Sequence, residues 1–234
     1  MTAPATADLS ALLQRARVLL LDFDGPICSI FAGHPAPQIA RELLDALHDD
    51  GHPVPEGDDA PTDPFDALRY AATLGPDAAE QTEARLRAAE LAAVPTARPT
   101  PHAAELIRAW RHDGRQVAAV SNNSQPTLTA YLDRHGIELD AIVGRTSPDP
   151  GLLKPSPHLV LRALDALEAS PDDALLIGDS PSDIHAARHA ALATIGYANK
   201  PGKAARLADA GARAVIDDML TLTAAAERAT RQRA

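Results

Sequence analysis

The strongest constraint on the fold is a pattern met three times: a short apolar run that ends abruptly in polar or acidic residues. Val18-Leu19-Leu20-Leu21 runs into Asp22, Val117-Ala118-Ala119-Val120 into Ser121, and Ala174-Leu175-Leu176-Ile177 into Gly178-Asp179. Continuous runs this short predict strands buried on both faces. Apolar residues at helical spacing follow or separate them, over 103–111, 128–135, 158–167 and 184–190. Weaker strands are expected at 141–143, 193–195 and 214–216. Strands alternating with helices predict an α/β fold, with a Rossmann-like parallel sheet flanked by helices.

The stretch 31–98 breaks that alternation. It holds no buried strand and instead suggests three helices at 38–48, 64–74 and 77–94, the last two opening on proline or acidic residues. Proline and acids suit a first helical turn, where the dipole is positive and the first N–H groups lack partners. Residues 51–61 form a loop by composition, and Pro95, Pro99 and Pro101 punctuate the return to strands and helices. The chain is therefore read as a core of 1–30 and 99–234 with a helical insert at 31–98. Its 234 residues suffice for one large domain with such an insert and need no staple. Residues 228–234 are expected to fray.

Acidic residues outnumber basic ones, 32 to 22, for a net charge of -10. That balance argues against nucleic acid as a partner. No apolar run approaches the ~20 residues that cross a bilayer, so no membrane partner is expected. The opening MTAPATADLS lacks a signal-peptide pattern, and the single cysteine, Cys28, suits a reducing compartment. A cytoplasmic protein is expected.

Ligands of an open parallel sheet bind beyond the carboxyl ends of its strands. The three best strands deliver Asp22 and Asp24, Ser121 and Asn122, and Asp179 to one rim. Gly25 allows a sharp turn after Asp24, and Asp183 stands four residues beyond Asp179 as a helix begins. Carboxylates gathered this way need a cation, and oxygen-only donors favour a hard one such as Mg²⁺. Only three of the 22 basic residues are lysines, Lys154, Lys200 and Lys203. In a chain so committed to arginine, Lys154 in Leu153-Lys154-Pro155 stands out. A compact ammonium fits among carboxylates and phosphate oxygens better than a planar guanidinium.

Asp22-Phe23-Asp24-Gly25, Ser121-Asn122, Lys154-Pro155 and Gly178-Asp179-Ser180-Pro181-Ser182-Asp183 together resemble the four motifs of the haloacid dehalogenase-like hydrolase superfamily. The insert resembles the helical C1 cap of its phosphoglycolate phosphatase-like members. The resemblance spans residues 17–218, and the four motifs in order are far more specific than any one of them. It implies a Mg²⁺-dependent phosphatase acting on a small phosphorylated metabolite. Asp22 would be the nucleophile that forms an aspartyl-phosphate, and Asp24 the general acid and base. Ser121 and Asn122 would bind the phosphoryl oxygens. Lys154 would neutralise both phosphate and Asp22. Asp22, the Asp24 carbonyl, Asp179 and Asp183 would hold the metal. One departure is Pro26, which stands where the family commonly has threonine and removes a hydroxyl and an N–H.

A phosphomutase of the same superfamily, or a silent phosphate-binding protein, is the alternative. A dehalogenase needs neither Asp24 nor the metal cluster, and a phosphonatase needs a cap lysine, of which 31–98 has none. His185 and His189 read as a solvated face, Cys28 as a small buried hydrophobe, and Arg69, Tyr70, Arg85 and Arg87 as solvated helix positions. Substrate identity and oligomeric state are not legible in the sequence.

Overall fold

The computed structural model describes residues 6–231, with side chains from 9 to 226. The chain opens with α1 (Thr6–Arg15), β1 (Val18–Leu21) and β2 (Cys28–Ser29). The helices α2 (Ala36–Asp49), α3 (Pro64–Leu74) and α4 (Pro76–Ala93) come next, then β3 (Arg98–Pro99). The alternating part runs α5 (Ala103–His112), β4 (Gln116–Ser124), α6 (Gln125–His135), β5 (Ala141–Arg145), α7 (His158–Ala166) and β6 (Ala174–Gly178). It closes with α8 (Pro181–His189), β7 (Ala193–Tyr197), α9 (Lys203–Ala210), β8 (Ala214–Ile216) and α10 (Met219–Arg231).

Six strands form one parallel sheet in the order β5-β4-β1-β6-β7-β8. The three apolar runs are its three central strands, with Leu19 beside both Val117 and Leu175. Side chains alternate between faces, as the strand period of two demands. Leu19, Leu21, Val117, Ala119, Leu175 and Ile177 pack against α1, α5, α6 and α10. Val18, Leu20, Ala118, Val120, Ala174 and Leu176 pack against α7 and α8. Leu19, Leu20, Leu21, Leu175, Leu176 and Ile177 are at most 1% exposed. At about 1.5–3 kcal/mol per fully buried aliphatic side chain, these runs are the main anchor of the core.

The insert forms the three expected helices. Asp63 caps α3 by accepting from the Phe65 N–H at 2.8 Å, and Pro64 fills the first helical position. Ile39, Leu43, Leu68 and Leu86 bury one another together with Leu153, so the insert packs on the loop that carries Lys154. Where the chain enters and leaves this segment, β2 and β3 pair antiparallel, Cys28 with Pro99 and Ser29 with Arg98.

Four features differ from the sequence reading. α6 and α8 begin three residues early, because their first turns are polar and proline-bearing and carry no apolar stripe. β4 continues through Ser124, past the apolar run, with its register against β5 shifting between Val120 and Ser124. α1, α9, α10 and the β2–β3 pair were not anticipated. Finally, α10 stays helical over the 228–231 expected to fray, while 232–234 lie outside the described residues.

Candidate active site

Asp22 still belongs to the ladder, since its N–H donates to the Ile177 carbonyl at 2.9 Å. Phe23 points into the core, edge-on to Tyr131. Asp22 and Asp24 flank it in sequence, and an extended strand end carries such i, i+2 side chains to one face, opposite Phe23. The turn that follows is well bonded in spite of Pro26. Gly25 donates to the Cys28 carbonyl at 2.6 Å, Cys28 donates to the Phe23 carbonyl at 3.0 Å, and the Thr100 hydroxyl donates to the Gly25 carbonyl. Gly25 has φ +107°, and a Cβ there would stand 2.5 Å from Asp179 Cγ, so only glycine serves.

Lys154 is the hub. Its side chain is 2% exposed, and its three N–H donors reach Asp22 Oδ1 at 2.9 Å, Asp183 Oδ1, and the Val120 carbonyl at 3.1 Å. An ammonium so buried needs this full set of partners. Its backbone is gripped by the Asn122 amide, which accepts from the Lys154 N–H at 2.8 Å and donates to its carbonyl at 3.4 Å. Asn122 thus fixes the lysine loop rather than capping α6, whose N-cap is Ser124. Burial works to lower the Lys154 ammonium, but Asp183 and Asp22 overcome it and hold it above its ordinary range.

β6 delivers Asp179, and α8 turns Asp183 back through a capping box with Ser180. A Cβ at Gly178 would lie 2.3 Å from that of Asp183, so the Gly178-Asp179 pair is a packing requirement as well as a turn. Asp179 Oδ2 accepts from Asn199 Nδ2 at 3.0 Å and from Lys203 Nζ. Lys203 was missed, although the rarity of lysine that singled out Lys154 applies to it equally.

Burial, with Asp183 nearby, pushes the Asp22 carboxyl well above the ordinary carboxylate range, against the pull of Lys154. Burial and Asp179 push Asp24 up to about 6, opposed by the Ile30 N–H that donates to its Oδ1 at 3.0 Å. A carboxyl poised there can both give and take a proton near neutrality. Burial also raises Asp179, with Lys203 opposing.

The residues fit a hard divalent cation on two counts. Asp22, Asp179 and Asp183 each offer an oxygen, all within 4.8 Å of one another. Four carboxylates, with Asp24, face the two ammoniums of Lys154 and Lys203, which leaves the charge of one divalent ion to be balanced. Asp22 Oδ2 and Asp179 Oδ1 accept no hydrogen bond among the described residues, whereas both Asp183 oxygens are engaged.

The remaining candidate residues lie around this site or away from it. Arg69 of α3, read as solvated, donates to the Lys154 carbonyl at 3.2 Å, because the insert folds over that loop. Arg85 pairs with Asp50 at 2.6 Å, Tyr70 donates to the Pro53 carbonyl, and His189 is exposed near the Pro155 carbonyl. Cys28 is fully buried, and burial holds its thiol up. A cavity of about 400 Å³ lies away from this chemistry, beside Arg15, Arg188 and Arg213 at the other end of β6 and β7.

The model of the haloacid dehalogenase-like hydrolases matches residues 16–191. The chain is 30% identical over 129 residues to a phosphoglycolate phosphatase of Rhodospirillum rubrum, covering 52% of this chain and 50% of that protein. It is 35% identical over 106 residues to a phosphoglycolate phosphatase of Aquifex aeolicus, covering 43% and 49%. The chain thus spans about half the length of the curated relatives it matches. Its fold resembles the crystal structure of a predicted phosphatase from Clostridium acetobutylicum, with TM-score 0.66 at 19% identity over 88% of this chain and 96% of that one.

Proposed function

Because the chain belongs to the haloacid dehalogenase-like hydrolase family, we propose that it is a Mg²⁺-dependent phosphatase of a small phosphorylated metabolite, working through an aspartyl-phosphate on Asp22. The observation that carries this reading is the Lys154 ammonium held between Asp22 and Asp183, with Asp179 in the same oxygen cluster. An Asp22 oxygen attacks phosphorus, the P–O bond to the substrate breaks, and Asp24 gives its proton to the departing oxygen. Asp24, now a carboxylate, takes a proton from water as that water attacks the same phosphorus. The acyl-phosphate bond breaks, freeing inorganic phosphate and restoring Asp22. Lys154 balances charge on Asp22 and the phosphoryl group, while the Ser121 hydroxyl and Asn122 N–H hold its oxygens.

Asp22, the Asp24 carbonyl and Asp179 would hold the metal, with Asp183, both of whose oxygens are already engaged, supporting the site through Lys154. A Mg²⁺ ion held there would supply neutralisation of phosphoryl charge. Residues 31–98 are the cap, a boundary supported by the β2–β3 pair at its base. A cap reaching the Lys154 loop through Arg69 favours a compact substrate. A single free cysteine is consistent with work in the cytoplasm.

The test is phosphate release from a panel of small monoesters headed by phosphoglycolate, with Mg²⁺ and with EDTA. Release that needs the metal is expected. Release undiminished by EDTA would sink the metal-dependent mechanism.

A further inference from the structure

A second cluster of buried charge joins α4 to the carboxyl ends of β4 and β5. Arg145, 1% exposed, forks between Glu83 Oε1 and Glu90 Oε2, both at 2.9 Å, and its Nε donates to the Asn122 carbonyl at 3.3 Å. Glu90, fully buried, also accepts from Asn123 Nδ2 at 3.1 Å and from the Ser124 N–H at 2.9 Å. Asn123 Oδ1 in turn accepts from the Ser121 hydroxyl at 3.2 Å, and the Asn123 N–H donates back to that oxygen at 3.2 Å. Glu83 and Glu90 stand seven residues apart, two turns of one helix, and so share a face.

We infer that Glu90 of α4 is a positioning residue for the Ser121–Asn122 loop, acting through Asn123 and Arg145. This rests on the proposed phosphatase reading and extends it. A carboxylate accepts only, so Glu90 fixes which way the Asn123 amide faces; the Asn123 N–H then holds the Ser121 oxygen in place, and the one hydroxyl proton turns from Asn123 Oδ1 to a phosphoryl oxygen when phosphate binds. Arg145 pins the Asn122 carbonyl on the other side of the same loop. This loop is the irregular end of β4 itself, where the register against β5 shifts between Val120 and Ser124 and the ladder does not hold it. A buried ion network is a weak device for stability alone, since apolar replacements often serve as well. Geometry at the loop is what this one supplies. The insert therefore completes the phosphate loop as well as covering it.

The test compares Glu90→Gln, Glu83→Gln and Asn123→Ala with wild type. The readouts are inorganic phosphate affinity by calorimetry with Mg²⁺, kcat and KM on a generic phosphate ester, and Tm. Glu90→Gln and Asn123→Ala should each weaken phosphate binding and lower kcat/KM about tenfold, the size of one charge-assisted contact. Glu83→Gln weakens the other Arg145 contact, whose carboxylate is 9% exposed against 0% for Glu90 and does not itself touch the loop. It should lower Tm yet keep phosphate affinity within about twofold. Equal losses of affinity and Tm in Glu83→Gln and Glu90→Gln would mean a structural role and overturn the inference. Should Glu90→Gln fail to fold, Asn123→Ala decides, and unchanged phosphate affinity there overturns it. Wild-type protein that neither binds phosphate nor turns over would overturn the phosphatase reading and this inference together.

Discussion

Two buried charge clusters meet at the end of β4, one built on lysine and the other on arginine. Lys154 spreads three hydrogen bonds over Asp22, Asp183 and the Val120 carbonyl, and oxygens of Asp22 and Asp179 stay without donors among the described residues. Arg145 locks its fork onto Glu83 and Glu90, and both Glu90 oxygens are consumed. Burial, then the excess of carboxylates over cations in the lysine cluster, pushes Asp22 and Asp24 upward, so that cluster is charge held ready for a ligand. The arginine cluster has no such free oxygen among the described residues, and Arg87, 3.5 Å from Glu83 Oε2, brings its charges to two and two. The difference lies in the two side chains: a point-like ammonium tolerates a changing set of oxygens, while a planar fork fixes one set.

The sharpest way to break this contrast is Asp22→Asn. If the lysine cluster is the reactive one, phosphate release falls by on the order of 10⁴-fold or more while the fold persists. Next comes Lys154→Met, which leaves Asp22 and Asp183 buried without their cation. It should abolish turnover and cost roughly 3–5 kcal/mol in urea unfolding, the usual penalty for stripping one partner from a buried pair. Lys154→Arg should restore part of that stability and little activity, because the fork does not suit three acceptors. Glu90→Gln, as above, should act about tenfold on phosphate affinity, and so sits well below both.

The smallest effect is on pH dependence without metal. Asp24 titrates at about 6 in the folded chain against 3.8 for the ordinary side chain. Between those values the folded state binds more protons than the unfolded one, so stability falls as pH rises through this window. In EDTA, Asp24 should therefore contribute a decline in Tm from about pH 4 to 6, which the raised Asp22 carboxyl extends to higher pH. Asp24→Asn should flatten part of that decline and raise Tm at neutral pH by a few degrees. A Tm profile identical to wild type would remove Asp24 from the strained set.

The lysine cluster, Lys203 apart, was legible because its members follow an apolar run, open the helix after one, or break a compositional habit. Asp22 and Asp179 follow strand ends, Asp183 stands in the next helical turn, and Lys154 is one of only three lysines. The arginine cluster was not. Glu83 and Glu90 are charges on a helix, and charge on a helix ordinarily marks the solvated face; only docking against β4 and β5 turns them inward. Their seven-residue spacing around buried Leu86 is a faint trace of that face. Among the elements, α1 was passed over although Leu9, Leu12 and Leu13 have helical spacing, while β2 and β3, two residues each, carry no periodic signal at all. The extension of β4 through Ser124 was hidden because its last residues are polar, and polar residues inside a buried strand are what a binding loop looks like from within.

The central claim is that Asp22 takes the phosphoryl group. Acid-quenched turnover with Mg²⁺, followed by mass analysis of the peptide that carries residue 22, reads it directly. The account predicts one phosphoryl group on Asp22 in the wild type and none in Asp22→Asn, which should also release no phosphate. Phosphate release by Asp22→Asn at the wild-type rate would contradict it.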